Sequence, residues 1–187
     1  MRVCGVDPGL EITGYGVIDV AGNQLTLVTT GVFRTSASDL LTTRLKEMYD
    51  QVLGLLASTT PDLMVLEELY SQYKHPTTAI MMGHVRGVIV LAAAARGVPL
   101  QQYGPTHVKK AVTGHGHARK EQTQRMVQAL LGLAKPPEPD DATDALAIAM
   151  AHAHTLRAPF AGVREMTFSR LGAARRRVTS PISAVGR

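Results

Sequence analysis

Cysteine occurs once and tryptophan never in these 187 residues, and three phenylalanines and five tyrosines are the whole aromatic complement. A single cysteine excludes an internal disulfide. Cys4 lies inside an apolar run, where it reads as a small core residue. No run of about 18 residues is free of charge, so no membrane-spanning helix is expected. Asp7 and Glu11 near the start argue against a secretory leader. A cytoplasmic protein with no membrane partner is the expectation. There is no long low-complexity tract, and 45% of residues are apolar, which suits one globular domain with a full core.

What is present is unevenly distributed charge. The formal net charge is +5, but residues 157–187 hold seven arginines against one glutamate. The preceding residues, 1–156, are close to neutral. The expected organisation is therefore a folded domain over 1–156 and a basic, flexible tail over 157–187. Within the body, Lys109, Lys110, Arg119, Lys120 and Arg125 cluster between positions 107 and 125 with only Glu121 to oppose them. The rest of the body is acidic. A basic patch beside an acidic cluster points to a metal-dependent enzyme acting on a polyanion.

The first sixteen residues organise the chain. Val3 to Val6 reads as a buried strand ending on Asp7; Pro8-Gly9 breaks it, and Thr13 to Val20 resumes as a second strand. Asp7 has two readings at this point: an Asx cap of its own turn, or a ligand-facing carboxylate at the sheet edge. Gln24 to Arg34, after the turn Ala21-Gly22-Asn23, makes a third strand of an antiparallel meander. Asp39 to Ala57 has amphipathic helical spacing, with Ser38 or Asp39 as its expected cap. Pro61 to Glu68 is a further strand, ending on Glu67-Glu68, and Val98 to Tyr103 is a fifth. Between them, Pro76 to Arg96 is a helix apolar on almost every side, which must be covered on two faces; a second subunit is the expected outer partner. Arg86 interrupts it and needs a partner, with a phosphate or a subunit contact as the options. Helices at Thr106–Val112, Lys120–Leu133 and Asp140–Leu156 complete a mixed α/β arrangement.

The carboxylates carry the chemistry. If the first and fourth strands run in parallel, Asp7 and Glu67 share the crevice where open α/β sheets bind ligands. Asp141 and Asp144 lie three apart on the last helix and project from one face. Asp140, just before them, is the expected cap. Each acid alone could serve only the helix dipole. Four converging on one edge need a cation, and oxygen donors in this number suit Mg²⁺ or Mn²⁺ rather than zinc. Two such ions ~3.5–4 Å apart can support phosphodiester hydrolysis. His115 and His117, in the glycine loop 113–117, lack further zinc ligands and read as phosphate-facing or solvated. His152 and His154 lie on different sides of their helix.

Taken in order, Asp7-Pro-Gly-Leu-Glu-Ile-Thr-Gly-Tyr-Gly-Val-Ile, Leu66-Glu67-Glu68, Met82-Gly-His-Val-Arg-Gly87, Val108-Lys109-Lys110, Gly114-His-Gly-His-Ala-Arg-Lys120 and Asp141-Ala-Thr-Asp144-Ala-Leu-Ala-Ile-Ala resemble the RuvC family of bacterial Holliday-junction resolvases. The likeness runs from residue 1 to about 156. It implies a ribonuclease H-like fold with a five-stranded mixed sheet, three antiparallel strands then two parallel ones, flanked by helices. It implies a homodimer that nicks a four-way DNA junction symmetrically, using two Mg²⁺ per subunit, with Mn²⁺ able to substitute. The expected products are 5′-phosphate and 3′-hydroxyl ends from in-line attack by water. The resemblance places catalysis and metal binding on Asp7, Glu67, Asp141 and Asp144, with Glu68 a solvated neighbour. It places DNA contacts on Tyr70, Lys109, Lys110, Arg119 and Lys120, with Tyr70 near the crossover. Association with the RuvA–RuvB branch-migration complex is implied in the same way. The Arg-rich tail and the His-rich loop depart from typical relatives.

Three other readings compete. An actin-like ATPase also opens on Asp-x-Gly but needs a duplicated domain, for which this length offers no room. A junction-binding module that does not cut would have no use for four acids. An RNA-processing nuclease of the same fold would show itself by strong RNA cleavage.

Overall fold

The computed structural model describes residues 1–68 and 76–157. Tyr70 and the tail beyond residue 157 lie outside the described residues. The chain folds as β1 (Arg2–Asp7), β2 (Ile12–Ala21), β3 (Gln24–Arg34), α1 (Leu41–Thr59), β4 (Leu63–Glu67), α2 (Pro76–Ala95), β5 (Leu100–Tyr103), α3 (Pro105–Thr113), α4 (Lys120–Leu130) and α5 (Asp140–Arg157). The sheet order is β3-β2-β1-β4-β5. The first three strands form the expected meander, and β4 and β5 add in parallel beside β1. The β2–β3 turn closes at Ala21 opposite Gln24, with Gly22 at positive φ, a conformation in which a side chain would be strained.

Strand periodicity sorts residues onto two faces. Val3, Ile18, Val65 and Tyr103 join one core cluster with α3, α4 and α5. Cys4, Val6, Val17, Met64 and Leu66 join the other with α1 and α2. The alternation decides where the strand-ending acids point. Positions 3, 5 and 7 share the α5 side of β1, and positions 65 and 67 share that side of β4. Asp7 and Glu67 therefore emerge on the face that α5 covers.

Two glycines let α5 lie unusually close. A methyl group on Gly5 would meet the Ala145 carbonyl oxygen at 2.1 Å, and one on Gly14 would meet the Asp141 carbonyl oxygen at 1.9 Å. Real side chains do not tolerate such distances, so the sheet is bare where the helix backbone passes. Nearly every residue from Ala142 to Ala153 of α5 is buried as a result.

Two expected caps are not formed. Helix α1 begins at Leu41, two residues later than expected, and Leu40 occupies the cap position without a side-chain hydrogen bond. The Ser38 hydroxyl is instead engaged with that of Ser36 at 2.7 Å, and the Asp39 amide donates to the Ser36 carbonyl, so both residues belong to a preceding turn. Asp140 is a first-turn residue of α5 rather than its cap; the Ala142 amide donates to the Pro139 carbonyl.

Among the described residues, helix α2 is covered on one side only. Val85, Ile89, Ala92 and Ala93 are buried, while Ile80 and Leu91 are 57% and 58% exposed. By length and composition alone, Thr77–Ala95 could cross a membrane. Its inner face packs on α1 and the sheet, and Arg86 sits buried at mid-helix. The Arg86 Nη1 donates to the Glu67 carbonyl oxygen, so one partner of this guanidinium is the end of β4.

Candidate active site

Five elements meet at one end of the sheet. Asp7 ends β1 and Glu67 ends β4, and the parallel pairing of Val6 with Leu66 brings the two strand ends side by side. Helix α5 arrives from the same end with Asp141 and Asp144 in its first two turns. Helices α3 and α4 close the rim with Lys109 and Lys120. The cleft so formed has a volume of about 270 Å³, and its lining includes Asp7, Glu67, Asp144, Lys109, Lys120 and Thr123.

The turn after Asp7 is tightly fixed. The Gly9 amide donates to the Thr13 hydroxyl at 3.1 Å, and that hydroxyl donates to the Gly9 carbonyl at 2.7 Å. Buried Arg44 on α1 reaches the Leu10 carbonyl at 3.1 Å and the Thr35 hydroxyl at 3.1 Å. Asp7 has no role as an Asx cap among these hydrogen bonds, which are made by Thr13, Thr35 and Arg44.

Electrostatics makes the cleft a candidate cation site. Burial pushes the Asp7 carboxyl up to about 7, and the charges of Glu67, Asp144 and Asp141 push the same way, with Lys120 opposing. Burial also raises Glu67, reinforced by Asp144 and opposed by Lys109 and Arg86. Asp144 is raised by burial as well, against a hydrogen bond and charge from Lys120. Acids that cannot all ionise comfortably together are what a site prepared for positive charge looks like before that charge arrives. Lys120 partly supplies it: its Nζ lies 3.0 Å from Asp144 Oδ2 and 3.3 Å from Asp140 Oδ2.

Among the described residues, no three Asp, Glu, His or Cys side chains gather closely enough to enclose one metal ion. The donor set still fits Mg²⁺. That ion keeps several waters and usually takes one or two carboxylates, with substrate phosphate oxygens completing its octahedron.

The structure thus brings together Asp7, Glu67, Asp144, Lys109 and Lys120. Asp141 stands at the edge, within electrostatic reach of Asp7 and Asp144 but outside the cleft lining. Lys110 on α3 and Arg119 at the start of α4 are exposed outside that lining. Glu68 is exposed, as expected. His115 and His117 are exposed too. His152 is half-buried, its Nδ1 2.8 Å from the Tyr103 hydroxyl, so it packs rather than binds. Sequence reasoning did not find the contribution of Gly5 and Gly14, although a glycine in a strand interior is a known sign of close backbone approach.

Comparison with known proteins bears on the family and the fold. The family described as crossover junction endodeoxyribonuclease RuvC matches residues 3–152. The enzyme of that name from Rhodopirellula baltica is 49% identical over 148 residues, covering 79% of this chain and 83% of the relative. The structure of Thermus thermophilus RuvC superposes with a TM-score of 0.80 at 36% identity, covering 88% of this chain and all of that one. The T. thermophilus RuvC in complex with Holliday junction substrate gives a TM-score of 0.78 at 34% identity, over 84% and 96% of the two chains. The five-stranded mixed sheet with its flanking helices is accordingly the ribonuclease H-like fold, and the chain belongs to the RuvC family of crossover junction endodeoxyribonucleases.

Proposed function

We propose that this chain is a structure-selective endodeoxyribonuclease that resolves four-way DNA junctions by paired, symmetric nicks, in recombination and repair in the cytoplasm. The observation that carries the reading is the convergence of strand-end and helix-borne carboxylates with two lysines in one cleft of this fold. Residues 1–156 form the nuclease unit. Asp7, Glu67, Asp141 and Asp144 would hold two Mg²⁺ ions, which Mn²⁺ could replace. When bound, such ions make water a competent nucleophile and stabilise charge on the leaving oxygen. Water attacks the scissile phosphorus in line; the bond to the 3′ oxygen breaks, leaving a 3′-hydroxyl and a 5′-phosphate. Lys109 and Lys120, facing the same cleft, steady the phosphate charge as it builds. Lys110 and Arg119 extend the basic surface along α3 and α4 toward the DNA backbone. Tyr70 is assigned to the crossover on the family resemblance alone.

Two symmetric nicks require two active sites, and the bare face of α2 supplies a dimer contact. Ile80 and Leu91 are exposed there, and Gly83 and Gly87 meet nothing within 4 Å where a Cβ would stand. Glycines in a helix interior are destabilising. Among the described residues nothing requires them; against a second copy of the same helix they permit close approach. Partnership with the RuvA–RuvB complex follows from the family resemblance alone.

The test is cleavage of a synthetic four-way junction beside linear duplex of the same sequence, in Mg²⁺, Mn²⁺ or EDTA. Paired nicks in the junction alone, abolished by EDTA, are expected. Tight junction binding without cleavage in either metal would reduce the protein to a junction reader, and preferential RNA cleavage would move it to RNA processing.

A further inference from the structure

We propose that Asp140 is a positioning residue that tethers Lys120 over the cleft, so that the ammonium stays within reach of the scissile phosphate when cations occupy the acids. The proposal rests on the nuclease reading above. Asp140 stands apart from the other carboxylates. Its charge bears on Asp144 but not on Asp7 or Glu67, and its side chain is 61% exposed against 32% for Asp144. Both its oxygens are engaged by α4: Oδ1 accepts from Gln124 Nε2 at 2.8 Å, and Oδ2 faces Lys120 Nζ at 3.3 Å. Lys120 and Gln124 are one turn apart on α4 and share a face, so the two side chains present a matched pair of donors.

An exposed ion pair of this kind contributes little to stability. Its effect is on the lysine's freedom. Lys120 now bridges Asp144 and Asp140. Divalent charge held at Asp144 would repel the ammonium from that carboxylate, leaving Asp140 as the anchor. A lysine stem has four flexible carbons, and confining its head group before substrate arrives removes an entropic cost from the reaction. Gln124 fixes the carboxylate that does the confining.

The experiment combines a rate with a metal-free readout. Single-turnover cleavage of a four-way junction in Mg²⁺ is measured for wild type, Asp140→Asn, Asp140→Glu, Lys120→Ala and the double variant D140N/K120A. Asp140→Asn is expected to lower the rate constant about tenfold, as loss of orientation at a reacting centre does. Junction affinity in Ca²⁺ stays within about twofold, Asp140→Glu recovers most of the rate, and Asp140→Asn has no further effect once Lys120 is alanine. In EDTA, where Asp144 would otherwise keep its own hold on the lysine, competitive acetylation read by mass spectrometry should label Lys120 about threefold faster in D140N/D144N than in Asp144→Asn alone, since the reacting neutral amine is no longer held in an ion pair. A wild-type rate in Asp140→Asn, an undiminished loss in the Lys120→Ala background, or unchanged Lys120 labelling would each overturn the proposal. A wild type that does not cut the junction would sink the nuclease reading instead, while the labelling experiment still reports on the tether.

Discussion

Helices α2 and α5 are both long and rich in alanine, and they pack on opposite faces of one sheet, yet they end in opposite states. Helix α5 is buried on nearly every side between Ala142 and Ala153, because glycines in β1 and β2 admit its backbone and α3 and α4 cover its back. Helix α2 is buried along Val85, Ile89 and Ala92 and bare along Ile80 and Leu91. The difference is in what faces each helix, since composition alone would make both into core helices. One helix is finished among the described residues and carries the acids; the other keeps a bare face there, the face proposed above as a dimer contact.

The largest expected effect lies on the finished helix. Asp144→Asn, and equally Asp7→Asn, should lower junction cleavage by about a thousandfold or more, since each removes a carboxylate that the cation site depends on. Gel-shift affinity for the junction should persist. Normal cutting by either variant would detach the chemistry from this cleft. Next comes the packing contrast itself. Gly14→Ala places a methyl against the Asp141 carbonyl and should destabilise the fold by about 1–3 kcal/mol, read as a lower denaturation midpoint. Gly54→Ala on α1, with open space around it, should raise stability by about 0.5–1 kcal/mol. Equal effects at both positions would erase the distinction between a glycine needed for approach and one that is not.

The bare face is tested by Leu91→Lys. Sedimentation at micromolar concentration should shift from dimer to monomer, with paired nicks giving way to single, uncoupled ones. A dimer that tolerates the charge would place the interface elsewhere. The last effect concerns the metal-free protein. Asp7 titrates near its ordinary value when unfolded and at about 7 when folded. The folded state therefore holds the proton more tightly, and the stability this contributes is present at low pH and lost as pH rises through about 7. Asp7→Asn should melt higher than wild type in EDTA at pH 8, by roughly 1–4 kcal/mol with one pKa unit near 1.4 kcal/mol. The gap should close toward pH 4, and Mg²⁺ should stabilise wild type far more than the variant.

Much of this was legible in the residues. Alternation along Val3–Asp7 and Leu63–Glu67 announced buried strands, and two carboxylates at strand ends announced a site, because apolar runs and stranded charges are local signals. The meander and the parallel addition of two strands followed from turn chemistry and element order. What stayed hidden depends on three dimensions. Ser38 and Asp39 look like helix caps until a local turn claims them. Asp140 looks like a cap until α4 brings Lys120 and Gln124 to it. Arg86 demanded a partner, but only the fold could name a backbone carbonyl.

The position of α5 in the chain has a further consequence. It is the last described helix and also the most central one, so the first strand cannot complete its surroundings until about 140 further residues have been made. A nascent chain holding β1 to α4 has Asp7 and Glu67 but no Asp141 or Asp144 opposite them. The cluster of acids comes into being only when the final helix seats in its glycine trough. Assembly of the site is thereby tied to completion of the fold, and a chain truncated before α5 would retain much of its basic surface while lacking two of the four candidate site carboxylates.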